Sequence, residues 1–574
     1  MMNRFPMIIT LLLALCSFPL NACGNDSEDA LTGVVRKIVT ELEASPGQRV
    51  AGELLFMPVE LADFYTERDY HPAWKIDTPS GREQARTFLA ELQTINDEGL
   101  CAGDYHLGYF KTLYSDISIH PDSEVFSPLR WRGWDDVLLT DALMHYLRHL
   151  IEGRVPPENV QEGWNLRKKQ VELVDMISEA LDEERMAEVL RKLQPENPGY
   201  RQLLSSLAWY RELTEKGGWP KIPPGPLLYP DEPDPRLPLL RIRLLLSKDL
   251  QELPLNDPPK MLRRDVEALK RFQRRHGLKA DGVLGEQTLE ALNVSSAVRL
   301  RQIELNLERW RWLPQRLGQR YLLVNIADFS VSVVMDGKSV MTIPAVVGNS
   351  FRKTPVFSAL MRYIEFAPYW TVPETILYED KLPEIRLDPG YLERNHFELI
   401  EDDVALDPYE IDWQGISEEA GNFPALLRQK PGPWNALGRV KFMFPNEHAV
   451  YLHDTPARHL FWRQQRSFSS GCIRVQYPLK LAEFLLEEQG WDREVIREAM
   501  QGEEPVRVNL ARQLPVHVLY WTAWVDEEGL LHFRDDVYGR DIDLDLALRR
   551  ELSTCSISSV ALVAPKEPPA KGDE

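Results

Sequence analysis

The stretch RYLLVNIADFSVSVVMDGKSVMTIPAVVGN, residues 320–349, consists of apolar and β-branched runs interrupted by the tripeptide DGK at 336–338. An Asp-Gly pair between two such runs predicts a β-hairpin, because these residues adopt the positive φ angles that tight hairpin turns need. The stretches AVYLHD at 449–454 and HVLYWTAWVDEEGLLHFRDD at 517–536 have the same strand-like character. We therefore predict a mainly β domain within residues 297–550.

The N-terminal half of the chain instead shows apolar residues at helical spacing. In DDVLLTDALMHYLRHLIEGRVPP, residues 135–157, this pattern stops at a glycine that precedes two prolines. Residues 217–238 are dense in proline and predict an extended connector, and residues 266–293 contain two short helical patterns around a DGVLG turn. We predict a mainly helical domain over 50–233 and a small three-helix domain over 234–296.

The first 22 residues have the order of a secretory signal: a positive start at Arg4, an apolar run, then small and polar residues. The apolar run is too short to remain as a spanning anchor. The sequence LNAC, which ends at Cys23, resembles the lipobox of bacterial lipoproteins; ordinary cleavage and a retained anchor are the alternatives. We predict a signal peptide over 1–22, a linker over 23–49 and a partly disordered tail over 551–574.

The composition limits the partners and the cysteine chemistry. A formal net charge of −21 over 574 residues argues against nucleic acid as a partner, because a polyanion would be repelled. Beyond the signal and the lipobox, the cysteines are Cys101, Cys472 and Cys555. An odd count in an oxidising compartment leaves one thiol free unless it pairs with another molecule. If Cys101 pairs with Cys555, the free thiol belongs to Cys472.

Cys472 lies in a polar, tightly turning stretch, RSFSSGCIRV at 466–475. A catalytic cysteine needs a base for its proton and hydrogen-bond donors for the oxyanion of a tetrahedral intermediate. Gly471 permits close approach of the backbone to a substrate, and the N–H groups of Gly471 and Cys472 are candidate oxyanion donors. Arg474 shares a strand face with Cys472 and adds positive charge.

His453, in the strand-like VYLHDTP, is the candidate base, because two adjacent strands can bring it to Cys472. His459, in PARHLF, is a weaker candidate, since that segment predicts a loop or a helix start. On residue type alone, a structural role for the cysteine and the histidine remains the alternative. The sequence lacks the paired-ligand spacing of a zinc site, and we expect neither a metal nor a cofactor.

Residues 375–433, between VPETIL and GPWNALGRVKF, are rich in charges and prolines and end in RQKPGP. A segment of this kind between strand patterns predicts an insertion packed over the sheet. Such insertions often serve as lids over a binding site. We therefore expect residues 375–433 to cover Cys472.

VYLHDTP followed by FSSGCIRV resembles the L,D-transpeptidase catalytic domain family, in which a histidine motif precedes Ser/Thr-x-Gly-Cys-apolar-Arg. Many members have histidine at the x position, where this chain has Ser470. Residues 266–293 resemble a peptidoglycan-binding domain, for which a spacer without binding is the alternative. LADFYTERDYHPAW and LLTDALMHYLRHLIEGRV are similar to segments of the large Gram-negative branch of the family.

The resemblance implies a multidomain α+β protein. A helical N-terminal scaffold and a small three-helix peptidoglycan-binding domain would precede a mainly β L,D-transpeptidase catalytic domain with a lid-like insertion. It also implies action in the periplasm of a Gram-negative bacterium, on peptidoglycan stem peptides, with glycan strands bound through residues 234–296. Contact with the membrane would come only through a lipid anchor at Cys23.

The resemblance further implies acyl transfer. Cys472 would attack the bond between diaminopimelate and D-alanine in a tetrapeptide stem, release D-alanine and pass the acyl group to a diaminopimelate of another stem. His453 would act as base and acid, oriented by the backbone carbonyl of Asp454. Gly471 would donate to the oxyanion, Ser470 would complete the motif, and Arg474 would bind a substrate carboxylate or brace the loop. Carbapenems would acylate the cysteine.

Three other functions fit the same residues. An L,D-carboxypeptidase or a cross-link endopeptidase would use the same cysteine with water as acceptor. A sortase-like transpeptidase also combines His, Cys and Arg in an exported β fold, although the SSGC motif and the two inserted segments argue against it. The third is a wall-binding scaffold without catalysis.

Overall fold

A computed structural model describes residues 28–44, 47, 49–113, 132–161, 164, 172–193, 197–253 and 257–550. The predicted signal peptide, the lipobox with Cys23 and the predicted tail lie outside the described residues. Cys101 is disulfide-bonded, and Cys472 is the free cysteine of the described part of the chain. Cys555, the predicted partner of Cys101, lies outside the described residues.

The chain forms two compact units. The first takes its described residues from segments 1–93, 105–146 and 172–190. The elements of this part of the chain are helices α1 Glu28–Ala44, α2 Pro58–Glu67, α3 Pro79–Thr94, α4 Leu107–Leu113, α5 Gly133–Glu152, α6 Leu173–Asp182 and α7 Met186–Leu193, and strands β1 Arg49–Val50 and β2 Glu53–Leu54. Apolar and aromatic side chains fill its interior, where the buried Tyr65 hydroxyl donates to Asp136 at 2.7 Å.

The predicted linker over 23–49 is wrong for residues 28–44, which form helix α1. Val35, Val39 and Leu42 recur at helical spacing and are buried. Burial of this apolar face stabilises the helix. The polar residues that precede it had led to the prediction of a linker.

The second unit contains segments 94–104 and 147–171 and everything from residue 191 onward. Its helices are α8 Pro198–Glu215, α9 Leu237–Leu246, α10 Arg263–Arg275, α11 Glu286–Asn293, α12 Ser296–Arg311, α13 Glu374–Ile376, α14 Leu382–Leu387, α15 Gly390–Arg394, α16 Pro478–Leu486, α17 Arg493–Gln501 and α18 Arg540–Arg550. Its strands are β3 Arg320–Asn325, β4 Ser330–Met335, β5 Lys338–Gly348, β6 Phe357–Phe366, β7 Trp370–Thr371, β8 Phe397–Glu401, β9 Val404–Ala405, β10 Leu426–Gln429, β11 Val440–Met443, β12 Leu452–His453, β13 Ser467–Ser469, β14 Ile473–Val475, β15 Val506–Leu519, β16 Ala523–Val525 and β17 Leu531–Phe533.

Helix α8 departs from the predicted domain boundary. The helical domain was predicted to run over 50–233 as one piece, but α8 belongs to the second unit. Its residues Tyr200, Leu203 and Leu207 are buried in the same core as the large β-sheet. Helical periodicity identified the helix correctly, whereas it carries no information on which core buries the apolar face.

The predicted three-helix domain is present as α9, α10 and α11. Val266, Leu269 and Phe272 lie on one face of α10 and are buried together with Leu292 of α11. The helix ends at His276, and Gly277 follows with a φ of 68°. A glycine at this position accommodates the left-handed conformation that commonly ends a helix.

The large sheet of the second unit has the strand order β13-β5-β14-β12-β11-β6-β15-β3-β4, and a further pairing of β4 with β5 closes it on itself. The predicted hairpin is confirmed, since Met335 pairs with Lys338 across a two-residue turn. Asp336 and Gly337 in that turn have φ angles of 49° and 77°. A helical N-terminal region thus precedes a mainly β domain, which confirms the predicted mixed α+β class.

The predicted insertion forms a second, smaller sheet with the order β7-β10-β8-β9. Helices α13 to α15 and a π-helical stretch at Leu377–Lys381 accompany it. The insertion has its own apolar core, which includes Leu382, Leu399 and Leu427. Because β7 begins at Trp370, this small domain starts slightly before the predicted range of 375–433.

Candidate active site

Two short parallel strands bring the predicted residues together. Strands β12 and β14 are neighbours in which His453 pairs with Arg474, and the Ile473 N–H donates to the Tyr451 carbonyl at 3.1 Å. Residues two apart along a strand share a face. Tyr451 and His453 therefore lie on the same side of the sheet as Cys472 and Arg474.

Cys472 is half-buried at the edge of this face. Its thiol donates weakly to the Ala449 carbonyl, with 3.8 Å between sulfur and oxygen. Burial raises the pKa of the Cys472 thiol, while hydrogen bonds from Tyr451 and the charge of Arg474 oppose that rise. In the described part of the chain no hydrogen bond joins Cys472 to His453. The hydrogen bond of the thiol is thus to Ala449 and not to the histidine.

His453 is buried, and its Nδ1 lies 2.5 Å from the backbone oxygen of Asp454. A carbonyl oxygen can only accept, so Nδ1 carries the hydrogen and Nε2 has a free lone pair. Burial and the positive charge of Arg474 lower the pKa of His453 to about 3, against the opposing effect of the bond to Asp454. The ring is therefore a neutral base at physiological pH.

The Asp454 side chain fixes the end of this histidine strand. It is buried, accepts from the N–H groups of Arg439 at 2.9 Å and Thr455 at 2.7 Å, and forms an ion pair with Arg458. Gly438 lies against it with a φ of 62°, and a Cβ there would meet Asp454 at 2.4 Å. These contacts hold the residue whose backbone carbonyl accepts from His453.

The loop before Cys472 differs from the sequence prediction. Gly471 has a φ of 108°, and its N–H donates to Ser469 Oγ at 3.3 Å. Ser469 Oγ in turn donates to the Cys472 carbonyl at 2.5 Å. The Gly471 N–H is thus directed at a side chain of its own loop. The predicted pair of oxyanion donors from Gly471 and Cys472 stays a prediction.

The other predicted residues occupy different environments. Ser470 is exposed, and its hydroxyl accepts from Arg352 at 3.0 Å. His459 is exposed on a short 3₁₀-helix at Arg458–Trp462, away from the buried face that holds His453. The described residues contain no group of three or more histidine, cysteine, aspartate or glutamate side chains placed to bind a metal ion. Nor does any helix in these ranges have the length and apolar character needed to cross a bilayer.

Two residues that contact Cys472 or its loop were not identified from the sequence. The first is Tyr451, whose ring lies 5.7 Å from that of His453 in an edge-on arrangement and whose hydroxyl contacts Cys472. Burial and the neighbouring Cys472 raise the pKa of Tyr451, so the hydroxyl stays a donor. Its position two residues before His453 in VYLHD would have revealed it. The second is Arg352, for which the sequence gives no local signal.

Comparison with known proteins assigns three parts of the chain. Residues 319–508 match the L,D-transpeptidase catalytic domain, residues 59–207 the scaffold domain, and residues 266–292 the "Putative peptidoglycan binding domain". A curated relative from Haemophilus influenzae, "Putative L,D-transpeptidase", is 32% identical over 247 residues, which are 43% of this chain and 49% of the relative. The chain thus spans about half the length of this relative.

Solved structures of similar proteins include an L,D-transpeptidase (residues 123–326) from Xylanimonas cellulosilytica. It is 15% identical, covers 52% of this chain and 100% of its own, and has a TM-score of 0.17. An L,D-transpeptidase from Stackebrandtia nassauensis is 15% identical, covers 49% of this chain and 88% of its own, and has a TM-score of 0.20.

Proposed function

The chain contains an L,D-transpeptidase catalytic domain, a peptidoglycan-binding domain and a scaffold domain, and from this premise we propose that it cross-links diaminopimelate residues of peptidoglycan stem peptides through a cysteine thioester. The observation that carries the proposal is the shared face of strands β12 and β14. It holds the free Cys472 beside Tyr451, and His453 beside Arg474, on adjacent strands. A nucleophile, a neutral base and a fixed positive charge are the groups that acyl transfer needs.

In the first step, His453 Nε2 accepts the thiol proton while Cys472 Sγ attacks the carbonyl carbon between diaminopimelate and D-alanine. The tetrahedral intermediate collapses, the carbon–nitrogen bond breaks, and His453 returns the proton to the amine of the departing D-alanine. The backbone N–H of Cys472 and the Tyr451 hydroxyl are the donors that we assign to the oxyanion. Gly471 could join them only after its N–H leaves Ser469.

In the second step, the side-chain amine of a diaminopimelate on another stem attacks the thioester. His453 accepts the proton that this amine loses and returns it to the sulfur as the thioester bond breaks. The cysteine is regenerated, and the new amide joins the two stems. Arg474 contributes positive charge beside both catalytic groups and lowers the pKa of each.

We assign the insertion the role of a lid. Tyr451, which contacts the nucleophile, packs both against the core of the large sheet and against the separate core of the insertion. A thioester in an exposed site would meet water in great excess over any amine, so transfer needs a shielded and oriented acceptor. The contact of the insertion core with Tyr451 supports this assignment.

The remaining parts of the proposal concern location. The peptidoglycan-binding domain over α9 to α11 would hold the enzyme on glycan strands, and the signal peptide would deliver it to the periplasm. Cys23 would carry a lipid anchor. Carbapenems, which mimic an acyl donor, would acylate Cys472.

The test is incubation of the purified full chain with tetrapeptide-containing peptidoglycan, followed by mass spectrometry of the released muropeptides. We expect free D-alanine together with a new dimer joined through two diaminopimelate residues. Tripeptide stems without dimers would identify an L,D-carboxypeptidase instead, and loss of existing cross-links would identify an endopeptidase. The absence of any product would contradict acyl transfer altogether.

A further inference from the structure

Arg352 connects the insertion to the loop that contains Ser470 and Gly471, here called the nucleophile loop. It lies in the segment that follows β5, and its guanidinium donates to Ser470 Oγ at 3.0 Å. The same guanidinium donates to the two carboxylate oxygens of Asp380 at 2.8 and 3.2 Å through its two terminal nitrogens, and it also pairs with Glu379. Glu379 and Asp380 belong to the π-helical stretch of the insertion.

The backbone of the Arg352 segment lies against the loop that precedes Cys472. A Cβ placed on Gly471 would meet the backbone oxygens of Lys353 at 3.8 Å and of Arg352 at 3.9 Å. The side-chain partner of Arg352 on this loop, Ser470, is two residues before Cys472. Arg352 therefore contacts the loop that leads directly to Cys472.

The three charged groups remain accessible to a ligand. Their side chains are 21% exposed for Arg352, 56% for Glu379 and 43% for Asp380. Ion pairs between groups that water can reach contribute little and can exchange with other charges. The guanidinium binds Asp380 through a bidentate pair of hydrogen bonds. Any other carboxylate could take the same place, because two N–H groups of an arginine match both oxygens of a carboxylate.

We propose that Arg352 is the receptor for a carboxylate of the donor stem, and that Asp380 and Glu379 occupy this receptor until the donor displaces them. The proposal rests on the proposed function. Every tetrapeptide donor brings such a group to the reacting bond: the leaving D-alanine has a free carboxylate one carbon from the nitrogen that is released, and diaminopimelate has another. Displacement of the two acidic side chains would at the same time release the insertion from the nucleophile loop.

The test uses two variants that the proposal predicts to act in opposite directions on the KM for a tetrapeptide donor. Arg352→Gln removes the receptor and should raise KM, with an effect of about 10- to 100-fold for the loss of a charged hydrogen-bond partner. The double change Glu379→Gln with Asp380→Asn frees the guanidinium and should lower KM several-fold. If the ion pairs only stabilise the fold, both variants should move KM in the same direction.

A matched control is Arg394→Gln, which removes an arginine that pairs with Asp388 at 2.7 Å within the insertion. It should leave KM unchanged. Arg352→Lys, which keeps the charge but not the fork, should fall between the native chain and Arg352→Gln. Thermal unfolding of each variant separates loss of fold from loss of binding, and Arg352→Lys keeps the proposal testable if Arg352→Gln does not fold.

A second donor identifies which carboxylate is bound. With a tetrapeptide that ends in D-alaninamide, the effect of Arg352→Gln should disappear if the D-alanine carboxylate is the ligand, and persist if the ligand is a diaminopimelate carboxylate. An unchanged KM in a folded Arg352→Gln protein that still releases D-alanine would overturn the receptor but leave the proposed function intact. A native chain that released no D-alanine would instead overturn the proposed function.

Discussion

The large sheet and the sheet of the insertion hold their functional groups in different ways. In the large sheet, the ladder closes on itself, and His453 and Asp454 are buried with backbone partners. In the insertion, strands of two to five residues surround a small core of their own. Among the described residues, its polar contacts with the loop before Cys472 run through Arg352, whose acidic partners are substantially exposed.

The groups of the large sheet are buried, whereas those of the insertion are accessible to water. A base that takes and returns a proton in each cycle must keep one orientation, and buried bonds to the backbone provide it. Exposed ion pairs contribute only about 0–1 kcal/mol each, so they can open and close without loss of the fold. We therefore expect the large sheet to carry the chemistry and the insertion to open and close over it, and the following experiments test that expectation.

The largest effect is expected for Cys472→Ala. This change removes the sulfur from a half-buried position and leaves little cavity, so D-alanine release and dimer formation should both be lost while the unfolding temperature stays close to that of the native chain. Mass spectrometry of the products and thermal unfolding measure the two quantities. Near-normal turnover in this variant would exclude the cysteine as nucleophile.

His453→Ala should lower the rate of acylation at pH 7 by about 10²- to 10⁴-fold, the usual contribution of a general base. The rate should recover partly at alkaline pH, where the thiol ionises unaided. His459→Ala is the matched control, because His459 is exposed on the neighbouring 3₁₀-helix. If the control variant is impaired and His453→Ala is not, the base has been assigned to the wrong histidine.

Tyr451→Phe removes a hydroxyl from beside Cys472 without changing the ring that packs against both cores. The acylation rate should fall by roughly 10-fold, since a hydrogen bond to a group that becomes charged is lost. Tyr477→Phe, at an exposed tyrosine of the same domain, should have no effect. Equal rates for the native chain and Tyr451→Phe would limit Tyr451 to a packing role.

Disruption of the insertion should change the products more than the acylation. Leu427→Asp places a charge in the insertion core, while the large sheet keeps its own core. We expect carbapenem to form its mass adduct on Cys472 still, and the ratio of cross-linked to hydrolysed stems to fall several-fold. Replacement of residues 375–433 by a short Gly/Ser linker should act in the same direction. An unchanged product ratio in both variants would show that the insertion is not a lid.

The smallest effect concerns pH. Because burial and Arg474 lower the pKa of His453 to about 3, its Nε2 remains unprotonated throughout the range from pH 7 to pH 5. The rate of carbapenem acylation should therefore change by less than about twofold over this range. A histidine with an ordinary pKa would lose roughly 25-fold, and such a fall would show that His453 is not held in its buried, neutral form.

Local sequence patterns predicted several elements, including the strand that carries one of the candidate site residues. The hairpin at Asp336-Gly337, the helix that contains Phe272 and the strand that contains His453 all follow from residue type and spacing. The same patterns failed for α1, whose apolar residues were read as a linker, and for the domain to which α8 belongs. A periodic pattern shows that a face will be buried, but the partner that buries it is chosen by contacts between distant segments.

The sequence alone determined the chemical identity of the candidate site: a free cysteine behind a glycine, a histidine in a strand motif and an arginine two residues after the cysteine. The tertiary structure determined which neighbours these residues contact and which hydrogen bonds they form. The parallel register of β12 and β14 places Tyr451 beside Cys472, the fold of the loop directs the Gly471 N–H to Ser469, and Arg352 meets Asp380 across 28 residues of chain. Hydrogen bonds and burial of this kind depend on segments far apart in sequence, and no local pattern specifies which of them will meet.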